Sequence, residues 1–230
     1  MESRTRLFGA AALTLFALPS TMPAPRGDCG AELEIDDASL IFEVNETDGD
    51  AEVVLRLKAP EGFRRLELED PNGKRVFVLK AKGNVKQAVG LQQFVIESGE
   101  PNVVDVLATF PEGTYEVEGE TVSGQEAEGE LVLSHDLAPA PAYCPADGAL
   151  VPPNGVVVQW IPVGGAASYV VEIEQDDLGY NLTATVPAGV TSLQVPDGFL
   201  LANTEYELAV ATVSLNGNTA VAESSFTTAP

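Results

Sequence analysis

Side chains able to do acid–base, nucleophilic or metal chemistry are few in this chain. Leu133-Ser134-His135-Asp136 sets the only histidine between a hydroxyl and a carboxylate, the residue types of a nucleophilic triad. Neighbours on an extended strand point to opposite faces, so these three cannot serve one another and His135 reads as a surface histidine. Asp36-Asp37, Asp48-Gly49-Asp50 and Asp176-Asp177 offer oxygens to a hard cation such as calcium, which takes about six to eight of them. None has the spacing of a dedicated calcium loop, and turns and solvated loops account for all three. A glycosidase-like carboxylate pair would want an aromatic platform, yet the single tryptophan, Trp160, sits in a core-strand pattern. The expectation is therefore no catalytic residue, no metal or cofactor ligand, no cofactor, and no enzyme.

Cys29 and Cys144 are the only cysteines, and their chemistry depends on compartment. Arg4 and Arg6 precede an apolar run, Leu7 to Leu18, that is too short to span a bilayer and is followed by Pro19-Ser20-Thr21-Met22-Pro23-Ala24. That is the pattern of a secretory signal peptide over 1–24, cut between Ser20 and Arg26. No other stretch approaches membrane-spanning length, so the expected location is secreted or periplasmic. In an oxidising compartment thiols pair, and a Cys29–Cys144 bridge would tie together the ends of everything between them; two free thiols are the alternative. Arg26-Gly27-Asp28 matches an integrin-recognition tripeptide only at the level of chance. Asn45-Glu46-Thr47 and Asn181-Leu182-Thr183 have the form of glycosylation acceptors.

Composition limits the partners. Thirty-five acidic against 12 basic residues give a net charge of -23, while 45% hydrophobic residues suffice for a packed core. A chain so acidic is repelled by phosphate backbones and anionic lipid, which excludes nucleic acid as a partner. The charge is also uneven: all Lys and Arg lie at or before Lys86, and Gln87 to Pro230 carries 20 acidic residues and no basic one. Between Arg56 and Lys86, nine basic residues face four acidic ones. Cross-strand pairing of Arg56 and Lys58 with Glu67 and Glu69 on a solvated sheet face is one account. A cationic docking patch for an acidic domain or an anionic partner is another, and adaptation to a salty medium is a third explanation of the acidic surface.

The elements behind these residues are mostly strands. Leu33 and Ile35, then Leu40, Phe42 and Val44, then Val53, Leu55 and Leu57 alternate with polar residues, the period of a half-buried sheet. Asp48-Gly49-Asp50 and Asp70-Pro71-Asn72-Gly73 are turn sequences between such runs. Tyr115 and Val117 alternate with Glu116 and Glu118, and Ser123-Gly124 turns the chain into Leu131 and Leu133. From Gly90 to Phe110 the apolar residues cluster at spacings nearer three and four, which predicts one or two short helices inside an otherwise β domain.

Past the Pro- and Ala-rich linker 140–147, Val156, Val158 and Trp160 share a strand face, as do Tyr169, Val171 and Ile173. Tyr206 opens a long strand continued by Leu208 and Val210; Asn216-Gly217-Asn218 turns, and Ser225-Phe226-Thr227-Thr228 ends the chain. Residues 145–230 thereby resemble a fibronectin type III domain: Trp160 matches its buried tryptophan, Tyr169 the aromatic opening the third strand, and Tyr206 its tyrosine corner. Ala202 departs from the proline common at that corner. The resemblance implies a seven-stranded Greek-key sandwich that binds partners or spaces other domains, without catalysis. Residues 30–139 resemble acidic β domains of secreted bacterial proteins, to which no activity attaches.

The expected fold class is thus all-β: a β-rich domain of unknown function over 30–139 with a short helical insertion, the linker 140–147, and a fibronectin type III-like sandwich over 148–230. The expected function is a non-catalytic, exported interaction or adhesion module that binds protein or polysaccharide at or outside the cell surface. The alternative is an accessory domain of an extracytoplasmic hydrolase, or a cryptic one, with its site in residues 30–139.

Overall fold

The structure is a computed structural model and describes residues 33–35, 38–83 and 91–230. The signal segment, Cys29, Asp36-Asp37 and Lys86 lie outside the described residues. In chain order the first half contains β1 (Leu33–Glu34), β2 (Ala38–Asn45), β3 (Asp50–Glu69), β4 (Arg75–Lys80), β5 (Leu91–Glu97), α1 (Val103–Thr109), β6 (Gly113–Thr121) and β7 (Glu126–Leu133). The second half contains β8 (Tyr143–Cys144), β9 (Ala149–Val151), β10 (Val157–Trp160), β11 (Ala166–Gln175), β12 (Tyr180–Pro187), β13 (Ser192–Gln194), β14 (Glu205–Ser214) and β15 (Thr219–Thr228), with a short 3-10 turn at Asp176–Leu178. The fold is all-β, as the alternating patterns require.

Two compact units interleave along the sequence. One takes residues up to Ala38 with Arg56–Val95 and Thr114–Leu131; the other takes Ser39–Leu55, Ile96–Gly113 and Val132–Pro230.

In the first unit β3 is flanked by β4 and β6, antiparallel on either side, with Glu67 opposite both Val78 and Glu118; β7 lies beyond β6 and β1 runs parallel to β7. The turn from β3 to β4 is built by Asp70, whose Oδ1 accepts the N–H groups of Asn72 at 2.9 Å and Lys74 at 2.8 Å, while Gly73 takes φ +72°. One face buries Phe63, Leu66, Leu68, Tyr115, Val117 and Ala127. Gly119 is required there, because a Cβ would lie 2.6 Å from the Phe63 ring.

Two sequence expectations change. Arg56, Lys58, Glu67 and Glu69, expected to pair across strands, all lie inside the single 20-residue strand β3. Those charges share one strand and cannot pair across two. The stretch 90–110 divides: Val103–Thr109 is a helix, but Leu91–Glu97 is a strand beside β3. The helix is capped by Asn102, whose Oδ1 accepts the Asp105 N–H at 3.2 Å. In the strand, Val95-Ile96 is a β-branched pair suited to a pleated surface.

In the second unit two sheets face each other, β8-β10-β13 and β12-β11-β14-β15. Trp160, Tyr169, Val171, Ile173, Tyr206, Leu208, Val210 and Phe226 fill the space between them. Trp160 and Tyr169 are tilted rings with centroids 5.5 Å apart, and Tyr206 stacks on Phe226 at 5.6 Å. Buried phenols still need hydrogen-bond partners. Tyr169 accepts the Val163 N–H at 2.7 Å and Tyr206 accepts the Leu201 N–H at 2.8 Å. Along its edge away from β14, β15 is paired at its two ends, in parallel with β2 at 219–221 and with β9 at 226–228.

Candidate interaction surface

Strand alternation decides which side chains the first unit turns outward. On β6, Tyr115 and Val117 go into the core, which leaves Glu116, Glu118 and Glu120 on the opposite face. On β7, buried Ala127 and Leu131 leave Glu126, Glu128 and Glu130 exposed. Glu67 and Glu69 of β3 continue the same face, since they pair in register with Glu118 and Glu116.

Cations compensate only one side of this face. Glu67, almost fully buried, receives Arg65 and the Arg75 Nε at 3.4 Å; Glu69 receives Arg75 at 3.6 Å; Glu120 receives Arg64. Three of the nine basic residues between Arg56 and Lys86, namely Arg64, Arg65 and Arg75, are thus engaged by carboxylates of the sheet. Glu116, Glu118, Glu126, Glu128 and Glu130 have no such partner among the described ion pairs. Glu118 is held above the ordinary glutamate range by desolvation first, then by the charges of Glu67 and Glu69, a hydrogen bond to Glu67, and Glu128. In the core behind it, burial and the charge of Asp70 push the Tyr115 hydroxyl up to about 12.

Successive outward residues on a strand lie about 6.8 Å apart, and directly opposed residues of an antiparallel pair lie about 5 Å apart. The free carboxylates thus form a regular anionic grid. It can attract and orient a cationic surface. The Glu-x-Glu-x-Glu runs on either side of Ser123-Gly124 were the sequence signal for it.

The residues singled out for chemistry stand elsewhere. His135 is half-buried rather than fully exposed: its Nε2 lies 2.9 Å from the Phe110 carbonyl and its ring sits 5.3 Å from that of Phe42. Its neighbours do not serve it, because Ser134 Oγ accepts from the Asp136 N–H at 3.1 Å and the His135 N–H donates to Glu112. Asp48 and Asp50 flank the β2–β3 turn, and Asp176-Asp177 form the 3-10 turn. Among the described residues, no three His, Cys, Asp or Glu side chains converge to hold a metal. Asn181 directs its amide to Glu172 and Glu174. Cys144 is exposed. A shallow groove lined by Asp136, Leu137, Ala138, Gly165, Ser214 and Leu215 contains one carboxylate. No described helix is long and apolar enough to cross a membrane.

No family model and no curated protein matches the chain. Among solved structures it is similar to fibronectin(III)-like modules of CbhA from Clostridium thermocellum, at 8% identity and TM-score 0.33, covering 85% of this chain and 94% of that one. It is also similar to chicken CNTN1 FN1-FN3 domains (12% identity, TM-score 0.35, 84% of this chain and 65% of that one). A two-domain fibronectin type III segment of chicken tenascin matches at 15% identity and TM-score 0.32, covering 83% of this chain and 98% of that one. The assignment itself comes from the molecule: three strands, β8-β10-β13, face four, β12-β11-β14-β15, around Trp160, with Tyr206 bonded back to Leu201 at the corner. The C-terminal sandwich is a fibronectin type III-like domain.

Proposed function

We propose that this protein is a non-catalytic interaction module, exported from the cytoplasm, that binds a cationic protein partner through the glutamate face of β6 and β7. The observation that carries this reading is the set of five outward glutamates, Glu116, Glu118, Glu126, Glu128 and Glu130, without cationic partners among the described ion pairs. A fixed grid of like charge steers and orients an oppositely charged surface, raising association rate and selectivity more than raw affinity. The partner that fits is a polypeptide presenting Lys or Arg on alternate residues of an extended segment. Polysaccharide without positive charge fits this face less well.

Export is supported by the leader Arg4 to Ala24 and by the sequence context of Cys29 and Cys144. The division into 30–139 and 148–230, joined at 140–147, is likewise a proposal; the cluster around Trp160 supports it by drawing only on residues between Tyr143 and Phe226.

The test is binding of an extended peptide with alternating lysines, measured at low and at about 0.5 M salt, where the Debye length falls well below about 10 Å. Wild type should bind and lose affinity with salt. A variant with all five glutamates changed to glutamine should bind at least about tenfold more weakly while unfolding at a similar urea concentration. Equal binding by the two proteins would remove the grid as the site.

A further inference from the structure

On the outer face of the second unit, two carboxylates meet around one amide. Glu172 and Glu174 lie two residues apart on β11, so both project to the same side of the sheet. Asn181 of the neighbouring β12 donates its Nδ2 to Glu172 Oε1 at 2.9 Å and also to Glu174 Oε1. Thr183 donates its hydroxyl to Glu172 Oε1, again at 2.9 Å. Glu172 is 2% exposed, and its second oxygen, Oε2, is buried with no hydrogen-bond partner. A buried ionised carboxylate with an unsatisfied oxygen is expensive unless a charge or a donor answers it.

None of the described ion pairs reaches either carboxylate. On the same strand and the turn that follows it, the charged neighbours are Asp176 and Asp177; on β14, Glu207 stands directly opposite Glu174 in register; on β15, Glu223 is opposite Ala209, which is itself opposite Glu172. β12 contributes only the neutral Asn181 and Thr183, and no Lys or Arg occurs from Gln87 onward. Two species could neutralise the pair. A divalent cation would need several more oxygens than converge there. A proton shared by the two carboxyls needs no further ligand, because the two side chains are already within hydrogen-bond reach of each other.

We propose that Glu172 and Glu174 hold a single proton between them, and that its loss loosens the edge formed by β11 and β12, so that the sandwich weakens as the medium turns alkaline. Desolvation first, then the charge of Glu172, raises Glu174 to about 7, with Asn181 opposing the rise and the Glu172 hydrogen bond and Asp176 adding to it. A carboxyl raised in the folded state contributes stability that is complete below the ordinary glutamate value and disappears as pH rises through the folded value, here about 7. That is opposite in direction to the usual carboxylate, which loses stability on acidification.

The experiment compares urea unfolding of the full-length protein with that of Glu174→Gln, which keeps a neutral side chain of the same shape at every pH. Between about pH 5.5 and pH 8.5 the unfolding constant of wild type should rise about tenfold relative to the variant, as the folded state gives up its extra proton. Because the variant retains every other glutamate, the ratio isolates this pair. Parallel curves would overturn the proposal. So would a calcium-induced rise in the wild-type midpoint at alkaline pH that is absent from the variant, since a cation would then be the neutralising species. Carboxyl carbon NMR on the unsubstituted protein checks it without a variant: one resonance of the pair should titrate near neutrality, and two ordinary glutamate midpoints would refute the shared proton.

Discussion

The side-chain carbonyl of Asn218 accepts the backbone N–H of Phe42 at 2.9 Å, a bond between residues 176 positions apart. The same side chain donates its Nδ2 to the carbonyls of Ser134 at 2.6 Å and Asp136 at 2.9 Å. One buried amide therefore joins β2, the segment leading out of β7, and the turn before β15.

Replacing Asn218 by alanine leaves one N–H without its acceptor and removes a donor from two carbonyls. Each stranded buried polar group costs about 1–3 kcal/mol. The expected loss for Asn218→Ala is about 3 kcal/mol, read as a fall in the urea midpoint with an unchanged denaturant slope. A loss below about 0.5 kcal/mol, the scale of ordinary surface changes, would show that the clamp contributes nothing net.

The corner tyrosine permits a cleaner dissection, because its ring and its hydroxyl have separate partners. Tyr206→Phe keeps the stack on Phe226 and removes only the acceptor for the Leu201 N–H. It should cost about 1–2 kcal/mol, whereas Tyr206→Leu should cost clearly more by losing ring contacts as well. Equal losses from the two variants would mean that the hydroxyl bond carries the whole effect.

The proposed Cys29–Cys144 bridge is tested by counting thiols. Titration of the denatured, unreduced, exported protein should find none. Two reactive thiols would refute the bridge. If it forms, a closed loop of this length constrains the unfolded chain by up to about 4–5 kcal/mol in the chain-entropy model, and reduction should lower the unfolding midpoint accordingly.

Local signals were the legible ones. Trp160, Tyr169 and Tyr206 announced the sandwich because each sits on an alternating strand whose inward face is apolar along its length. Tyr115 and Val117 likewise gave away the buried face of β6. What could not be read was decided by residues remote in sequence. Arg56 and Lys58 read as pairing across strands with Glu67 and Glu69, yet the chain continues as one strand, β3, with the Gly62 carbonyl accepting the Val122 N–H at 3.0 Å. Arg75 appeared as part of a positive run, but its guanidinium meets Glu67 and Glu69 across the β3–β4 hairpin. Glu172 looked like any outward residue of an alternating strand; only its burial and the approach of Asn181 distinguish it.

The pairing of both ends of the β15 edge bears on how this protein avoids sticking to itself. A ten-residue strand with an open row of N–H and C=O groups is a template for another chain to extend into a fibre. β9 shields 226–228 and β2 shields 219–221; between them Thr47 Oγ1 accepts the Glu223 N–H at 2.8 Å and Asp147 Oδ1 the Ser225 N–H at 2.9 Å. Strand β2 shields one end of that edge. Weakening the pairing of β2 with 219–221 should therefore expose backbone that another copy can extend, seen as edge-to-edge assembly by light scattering.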